Sequence, residues 1–208
     1  MEESKKKKGL FGKVFSVLSG KPSSPPDSAG QFAPDEKEPV DLVFVKRFTN
    51  SGGKFLYCEQ EEEAYEFLRN IQSEASVESI ICQDSNLQSI LKNAGLGFKS
   101  ESNANEDAYC CSCEYLISFN GGLMISENQT HGKKLKDLPD VFIVIAKTSQ
   151  IVENLRAGLT GIRAKYKGNI PSNITTIKGP NHRDEANEMA SETACVKDIY
   201  LLLIEDQL

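Results

Sequence analysis

The chain has 208 residues with 30 acidic and 24 Lys/Arg side chains, a net charge of −6. That is long enough for one domain with a substantial core and short for two. The acidic balance excludes a general nucleic-acid binder, because neutralising phosphates takes a dominant basic face. Six cysteines without an export signal point to a reducing compartment, so a cytoplasmic protein without a disulfide framework is expected.

Residues 1–20 form a short basic amphipathic tail. Lys5 to Lys8 precede Leu10, Phe11, Val14, Phe15, Val17 and Leu18 at helical spacing, with Lys13 on the other side. Such a helix can lie on an anionic membrane surface or fill a partner's groove. It can equally be a frayed tail, since isolated helices below about 12 residues are marginal in water. The apolar stretch is short, Lys13 interrupts it and no small-residue cleavage site follows, so neither secretion nor a membrane span is expected. Residues 21–39 carry Pro22, Pro25, Pro26, Pro34 and Pro39 among serines and acids, the composition of a disordered linker. The α/β domain is expected over 40–208.

Leu42 to Phe48 reads as a helix or an extended lead-in, and Gly52-Gly53 turns the chain into a strand over Lys54 to Cys58. Glu61 to Ile71 is a helix: Ala64, Phe67, Leu68 and Ile71 share a face, and Glu61 to Glu63 suit its positive N-terminal end. Ser79 to Cys82 is a short strand. Asn86 to Ala94 is a helix with Leu87, Ile90 and Leu91 inward and Gly95 as a left-handed cap. Asn103 to Asp107 is a polar loop. The chain holds no G-x-G-x-x-G and no G-x-x-x-x-G-K-[ST], so no nucleotide cofactor is expected.

Cys113 to Ser118, Leu123 to Ser126, Val141 to Ala146, Ile174 to Ile177 and Ile199 to Ile204 are apolar strands. Alternating with helices, they imply a mostly parallel sheet covered on both faces, with ligands held in loops at strand ends. Ser149 to Tyr166 reads as one helix with Ile151, Val152, Leu155, Leu159 and Ile162 inward and Thr148 or Ser149 as its cap. Gly158 and Gly161 within it cost about 1 kcal/mol each relative to Ala, which suggests close backbone packing or a weakened surface turn. Glu127 to Asp140, with His131 and three lysines, is a solvated loop or a lid over an acidic ligand.

Cys110 and Cys113 have the two-residue spacing of metal and redox motifs. A structural zinc normally takes four ligands, and Cys58, Cys82 and Cys195 stand alone on separate elements, so no metal is expected and the cysteines read as small buried hydrophobes. Two glycine turns are the candidate ligand sites. Asn120-Gly121-Gly122 offers backbone amides to a carboxylate or phosphate, or is simply a tight turn between two strands. Gly179-Pro180-Asn181-His182 follows a strand and precedes a helix, where N-terminal amides favour an anion and Asn181 can serve as the cap. No nucleophile, base and acid can be grouped by spacing, so no catalytic residue is assigned.

Cys113-Glu114-Tyr115-Leu116-Ile117, the turn ending in Gly121, Leu123-Met124-Ile125-Ser126, Val141 to Ala146, Thr148-Ser149-Gln150-Ile151-Val152, Gly179-Pro180 and Ile199 to Asp206 occur in an order that resembles the LUD domain, the lactate-utilisation family. The resemblance runs from about Pro39 to the C-terminus and includes Gly52 to Cys58. It implies a three-layer α/β/α sandwich of the NagB/RpiA/CoA-transferase type. It also implies a role beside iron–sulfur proteins that oxidise L-lactate to pyruvate, this chain being a subunit or accessory factor without a cluster. A second class of function, binding or turnover of a small anionic metabolite such as a sugar phosphate or CoA ester, follows from the same fold. A third is a non-catalytic interaction module. Where the family carries a charged residue, Thr, Gly and a hydroxyl, this chain has Phe119, Asn120, Gly121 and Gly122. Asn181 and His182 stand where the family has Ser and Arg.

Overall fold

Helix α1, Val40–Asn50, settles the choice left open for the first segment. Pro39 starts it with its carbonyl accepting the Val43 amide at 3.1 Å, and Phe44 and Phe48 stack 5.7 Å apart with no solvent exposure. The computed structural model describes residues 38–101, 106–181 and 197–206, and Pro39–Leu208 form one compact unit. The tail, nearly all of the linker and His182 lie outside the described residues.

After the Ser51–Gly53 turn come β1 (Lys54–Cys58), α2 (Glu61–Glu74), β2 (Ile80–Cys82) and α3 (Ser85–Asn93). Helix α2 runs three residues past its expected end, and the Glu63 carboxylate turns back to accept the Glu59 amide at 2.8 Å. Asp84 caps α3 by accepting the Asn86 amide. Gly95, at φ +77°, ends that helix as expected, with the Leu96 amide reaching back to Leu91. Strand β3 (Ala108–Cys111) begins where the polar loop stops. Its residues are all buried.

Strands β1, β2, β3, β6 (Val141–Lys147) and β9 (Asp198–Ile204) form a wholly parallel sheet in the order β1-β9-β6-β3-β2. One face presents Cys58, Ile80, Cys82, Ala108, Cys110, Ile143, Ile145, Leu202 and Ile204 to Leu68 and Ile71 of α2 and to Leu87, Ile90 and Leu91 of α3. Each such fully buried Leu or Ile contributes about 1.5–3 kcal/mol. The other face carries Tyr109, Phe142, Val144, Ile199, Leu201 and Leu203, all buried. Helical segments lie against this side: Phe48 of α1 lies against Gly53, and the Tyr109 hydroxyl donates to the Gln129 carbonyl at 2.6 Å. Two-sided burial explains why these strands are continuous apolar runs rather than alternating ones.

The remaining strands do not join this sheet, which revises the expectation that all the apolar strands share one mostly parallel sheet. β4 (Tyr115–Ile117), β5 (Gly122–Ile125), β7 (Ile151–Val152) and β8 (Thr175–Ile177) make a second sheet in the order β7-β4-β5-β8. The cause is local. Gly121, at φ +65°, closes a hairpin with Ile117 opposite Gly122, and hairpin strands must pair antiparallel. The long helix expected from Ser149 is also divided. A 3-10 turn over Thr148–Gln150 is anchored by Asp206, whose carboxylate accepts from the Thr148 hydroxyl and the Ser149 amide, so Ile151 and Val152 extend beside β4. Helix α5 (Leu155–Tyr166) then starts under the cap of Asn154, which accepts the Ala157 amide at 3.0 Å. The Glu127 to Asp140 loop holds a single-turn helix, α4 (Glu127–Thr130), and a 3-10 turn at Leu135–Asp137.

Candidate functional site

The C-terminal end of α1 and the Ser51–Gly53 turn lie between the two candidate ligand turns. Asn120–Gly122 opens β5 and Gly179–Asn181 follows β8, and β5 and β8 pair with Leu123 opposite Ile177. The two turns are therefore neighbours at one end of the smaller sheet. Gly121 lies on the α1 backbone: a Cβ there would come within 2.6 Å of Phe48 N and Arg47 C. Gly179 lies as close to Ser51 O and Gly53 N, and the Asn181 side chain rests on Gly52. Only glycine fits at these approaches, and at Gly121 the positive φ adds a second reason.

Hydrogen bonding shows where the amides of the turns go. The Gly121 amide donates to Ile117 O at 2.9 Å and the Gly122 amide to Asn120 Oδ1 at 3.0 Å. The Gly179 amide donates to Ser51 Oγ at 3.2 Å and the Asn181 amide to Ser51 O at 2.8 Å. All four amides are used within the protein. Any contact with an anion here falls to side chains: Asn120, Asn181 and one cation supplied from α1. Arg47 is that cation. Its guanidinium stands 5.3 Å over the Phe119 ring, and Nη1 donates to the Phe119 carbonyl. Charge is thus present beside the turn although position 119 itself is aromatic. Phe119 is 70% exposed. Neither Arg47 nor the buried Ser51 was legible as a site residue, because each meets its turn across more than seventy positions of sequence.

A second polar centre lies beneath β4. Glu114 is fully buried at its side chain, yet its two oxygens accept from Lys165 Nζ at 2.9 Å, Tyr166 Oη at 2.9 Å, Ser126 Oγ at 2.9 Å and Gln129 Nε2 at 3.2 Å. Burial pushes its pKa up, but these donors outweigh burial and hold the carboxyl below the ordinary glutamate value. The arrangement ties α4 and α5 to the second sheet. Gly158 and Gly161 let α5 approach that sheet: Cβ atoms there would stand 3.0 Å from Met124 Cε and 2.3 Å from Tyr115 Oη.

Cys58, Cys82, Cys110, Cys111 and Cys113 are buried free thiols. Cys110 faces α2 and α3 while Cys111 faces the other way, as β-strand alternation requires. Burial raises the Cys58 thiol to about 12. Cys82 and Cys110 are register partners. A hydrogen bond between them lowers Cys82 and correspondingly raises Cys110. Among the described residues, no group of three or more His, Cys, Asp or Glu is placed to hold a metal ion.

Residues 42–204 match the family model described as the LUD domain. The fold is similar to the crystal structure of a DUF162 family protein from Deinococcus radiodurans, at 16% identity and a TM-score of 0.56 over 80% of this chain and 95% of that one. No curated protein sequence matches the chain. Among the described residues, no helix is long and apolar enough to cross a membrane.

Proposed function

Because the chain belongs to the LUD domain family, which is associated with lactate utilisation, we propose that it serves the oxidation of L-lactate to pyruvate as a subunit or accessory factor without a cluster of its own, beside an iron–sulfur partner. The observation that carries the reading is the family match over residues 42–204. Recognition of the small carboxylate is assigned to the seam between α1 and the two glycine turns. Arg47 supplies the charge there, and Asn120 and Asn181 supply side-chain amides beside it. A guanidinium fork suits a carboxylate in two parallel hydrogen bonds. On binding, Arg47 would exchange the Phe119 carbonyl for the ligand. The ring beneath it keeps the guanidinium flat and oriented in the meantime.

Calorimetric titration of the full chain with L-lactate, pyruvate, a sugar phosphate and a CoA thioester tests this. The 2-hydroxy or 2-keto acid is expected to bind, and Arg47→Ala and Asn181→Ala are each expected to weaken it about tenfold, the effect of losing about 1.4 kcal/mol. Tighter binding of the phosphate or thioester moves the chain to the alternative class of metabolite. Equal affinity in folded variants removes the seam as the site. Retention of the chain by an iron–sulfur lactate oxidoreductase, and its absence from the same assay with an unrelated iron–sulfur protein, tests the partner reading separately.

A further inference from the structure

A cleft of about 630 Å³ opens at the carboxyl ends of β6 and β9, between the first turns of α2 and α3. It lies on the five-stranded sheet, apart from the seam at the end of the smaller sheet. The carboxyl ends of parallel strands are where open α/β folds collect ligands, and the volume lies within the range of small-molecule sites. Its floor is aliphatic: Leu87 and Ile90 from α3, Ile145 from β6 and Ile204 from β9. Its rim is charged: Glu61, Glu205 and Asp206, with Lys147 as the one lining cation, whose nearby charge favours the ionised Asp206 carboxyl.

Each of the three carboxylates is held by a neutral donor. Tyr65 Oη donates to Glu61 at 2.8 Å, and the Tyr57 hydroxyl donates to Glu205. Thr148 Oγ1 and the Ser149 amide donate to Asp206 Oδ2 at 2.9 and 2.6 Å. Among the described residues, no Lys or Arg comes within 4.0 Å of any of the three as an ion pair. The protein has therefore fixed three negative groups around an apolar hollow and neutralised none of them at contact distance. An anion entering here would meet that field unfavourably. A cation would replace part of the lost hydration with carboxylate oxygens, and an aliphatic stem would cover the floor.

We propose that this cleft is a binding site for a small aliphatic amine, with its ammonium accepted by Glu205 and Asp206 and its stem lying on Ile145, Ile204, Leu87 and Ile90. Lys147, on the strand end beside Glu205 and Asp206, adds a partner for the carboxylate of an amine that also carries an acid. The proposal is independent of the lactate reading, since it concerns another sheet edge and the opposite ligand charge.

The test is an NMR titration of isoleucine and leucine methyl groups in the full chain with cadaverine, 6-aminohexanoate and hexanoate. Both amines are expected to shift the Ile145 and Ile204 methyls. Hexanoate, with the same stem and no ammonium, is expected to leave them unchanged. Glu205→Gln keeps an oxygen for the Tyr57 hydroxyl and is expected to weaken cadaverine about tenfold while the fold is retained. Asp206→Asn is expected to do the same, with circular dichroism checking that the Thr148 turn survives. Hexanoate binding as well as the amines, undiminished cadaverine affinity in folded Glu205→Gln, or no methyl shift up to about 10 mM amine would each overturn the proposal.

Discussion

At the scale of single residues, Glu114 carries the clearest consequence. Its carboxyl is lowered in the folded state, so the folded protein releases this proton at a lower pH than the unfolded chain, whose glutamates titrate near 4.3. Stability from this group is fully present above that unfolded value and is lost as pH falls through the folded one. Urea denaturation between about pH 3 and 7 is expected to show stability rising with pH in the native chain, with a visibly shallower rise in Glu114→Gln. Glu114→Ala is expected to cost about 2–4 kcal/mol at neutral pH, because it leaves the buried Gln129 amide and the Tyr166 hydroxyl without their acceptor. Lys165 is half-exposed and can return to water, which keeps the cost from rising further. An unchanged pH slope in the glutamine variant would show that the network is not what holds α4 and α5 to the sheet.

At the scale of elements, the two left-handed glycines Gly95 and Gly121 separate conformation from packing. Both have positive φ, but a Cβ on Gly95 meets open space whereas one on Gly121 meets the α1 backbone. Gly95→Ala is expected to cost about 1 kcal/mol and Gly121→Ala about 2–4 kcal/mol in chemical denaturation; equal costs would mean that α1 yields to the turn. The same contrast explains what was legible in the sequence. The periodicity of Ala64, Leu68 and Ile71, the cap at Gly95 and the apolar runs of β6 and β9 depend on neighbours within a few positions, and the structure has them as read. The split of Ser149–Tyr166 into a 3-10 turn, a strand and a helix depends on Asp206, 57 residues from Ser149, and helical spacing at Ile151 and Val152 gave no sign of it. Gly121 and Gly179 were visible as turns, whereas their close approach to α1 belongs to tertiary packing. Arg47 was invisible for that reason: a lone basic residue on an amphipathic segment has no short-range pattern that distinguishes it from a solvated one.

At the scale of the whole molecule, the parallel sheet and the family match coincide in the same stretch of chain. The five-stranded sheet and its helices follow from continuous apolar strands, and the match over residues 42–204 places the chain among LUD domain proteins. The basic stretch of residues 1–20 is proposed to give peripheral contact with anionic membranes. Co-sedimentation with anionic vesicles is expected to fall sharply when the chain is truncated to begin at Pro39, and equal sedimentation removes the tail from that role. The measurement that bears most directly on the account is a backbone and side-chain NMR titration of the full chain with L-lactate and pyruvate. Shifts centred on Arg47, Asn120 and Asn181, with none at Ile145 or Ile204, are expected. Shifts confined to the cleft at the carboxyl ends of β6 and β9, or no shifts at millimolar acid, would contradict the proposed site.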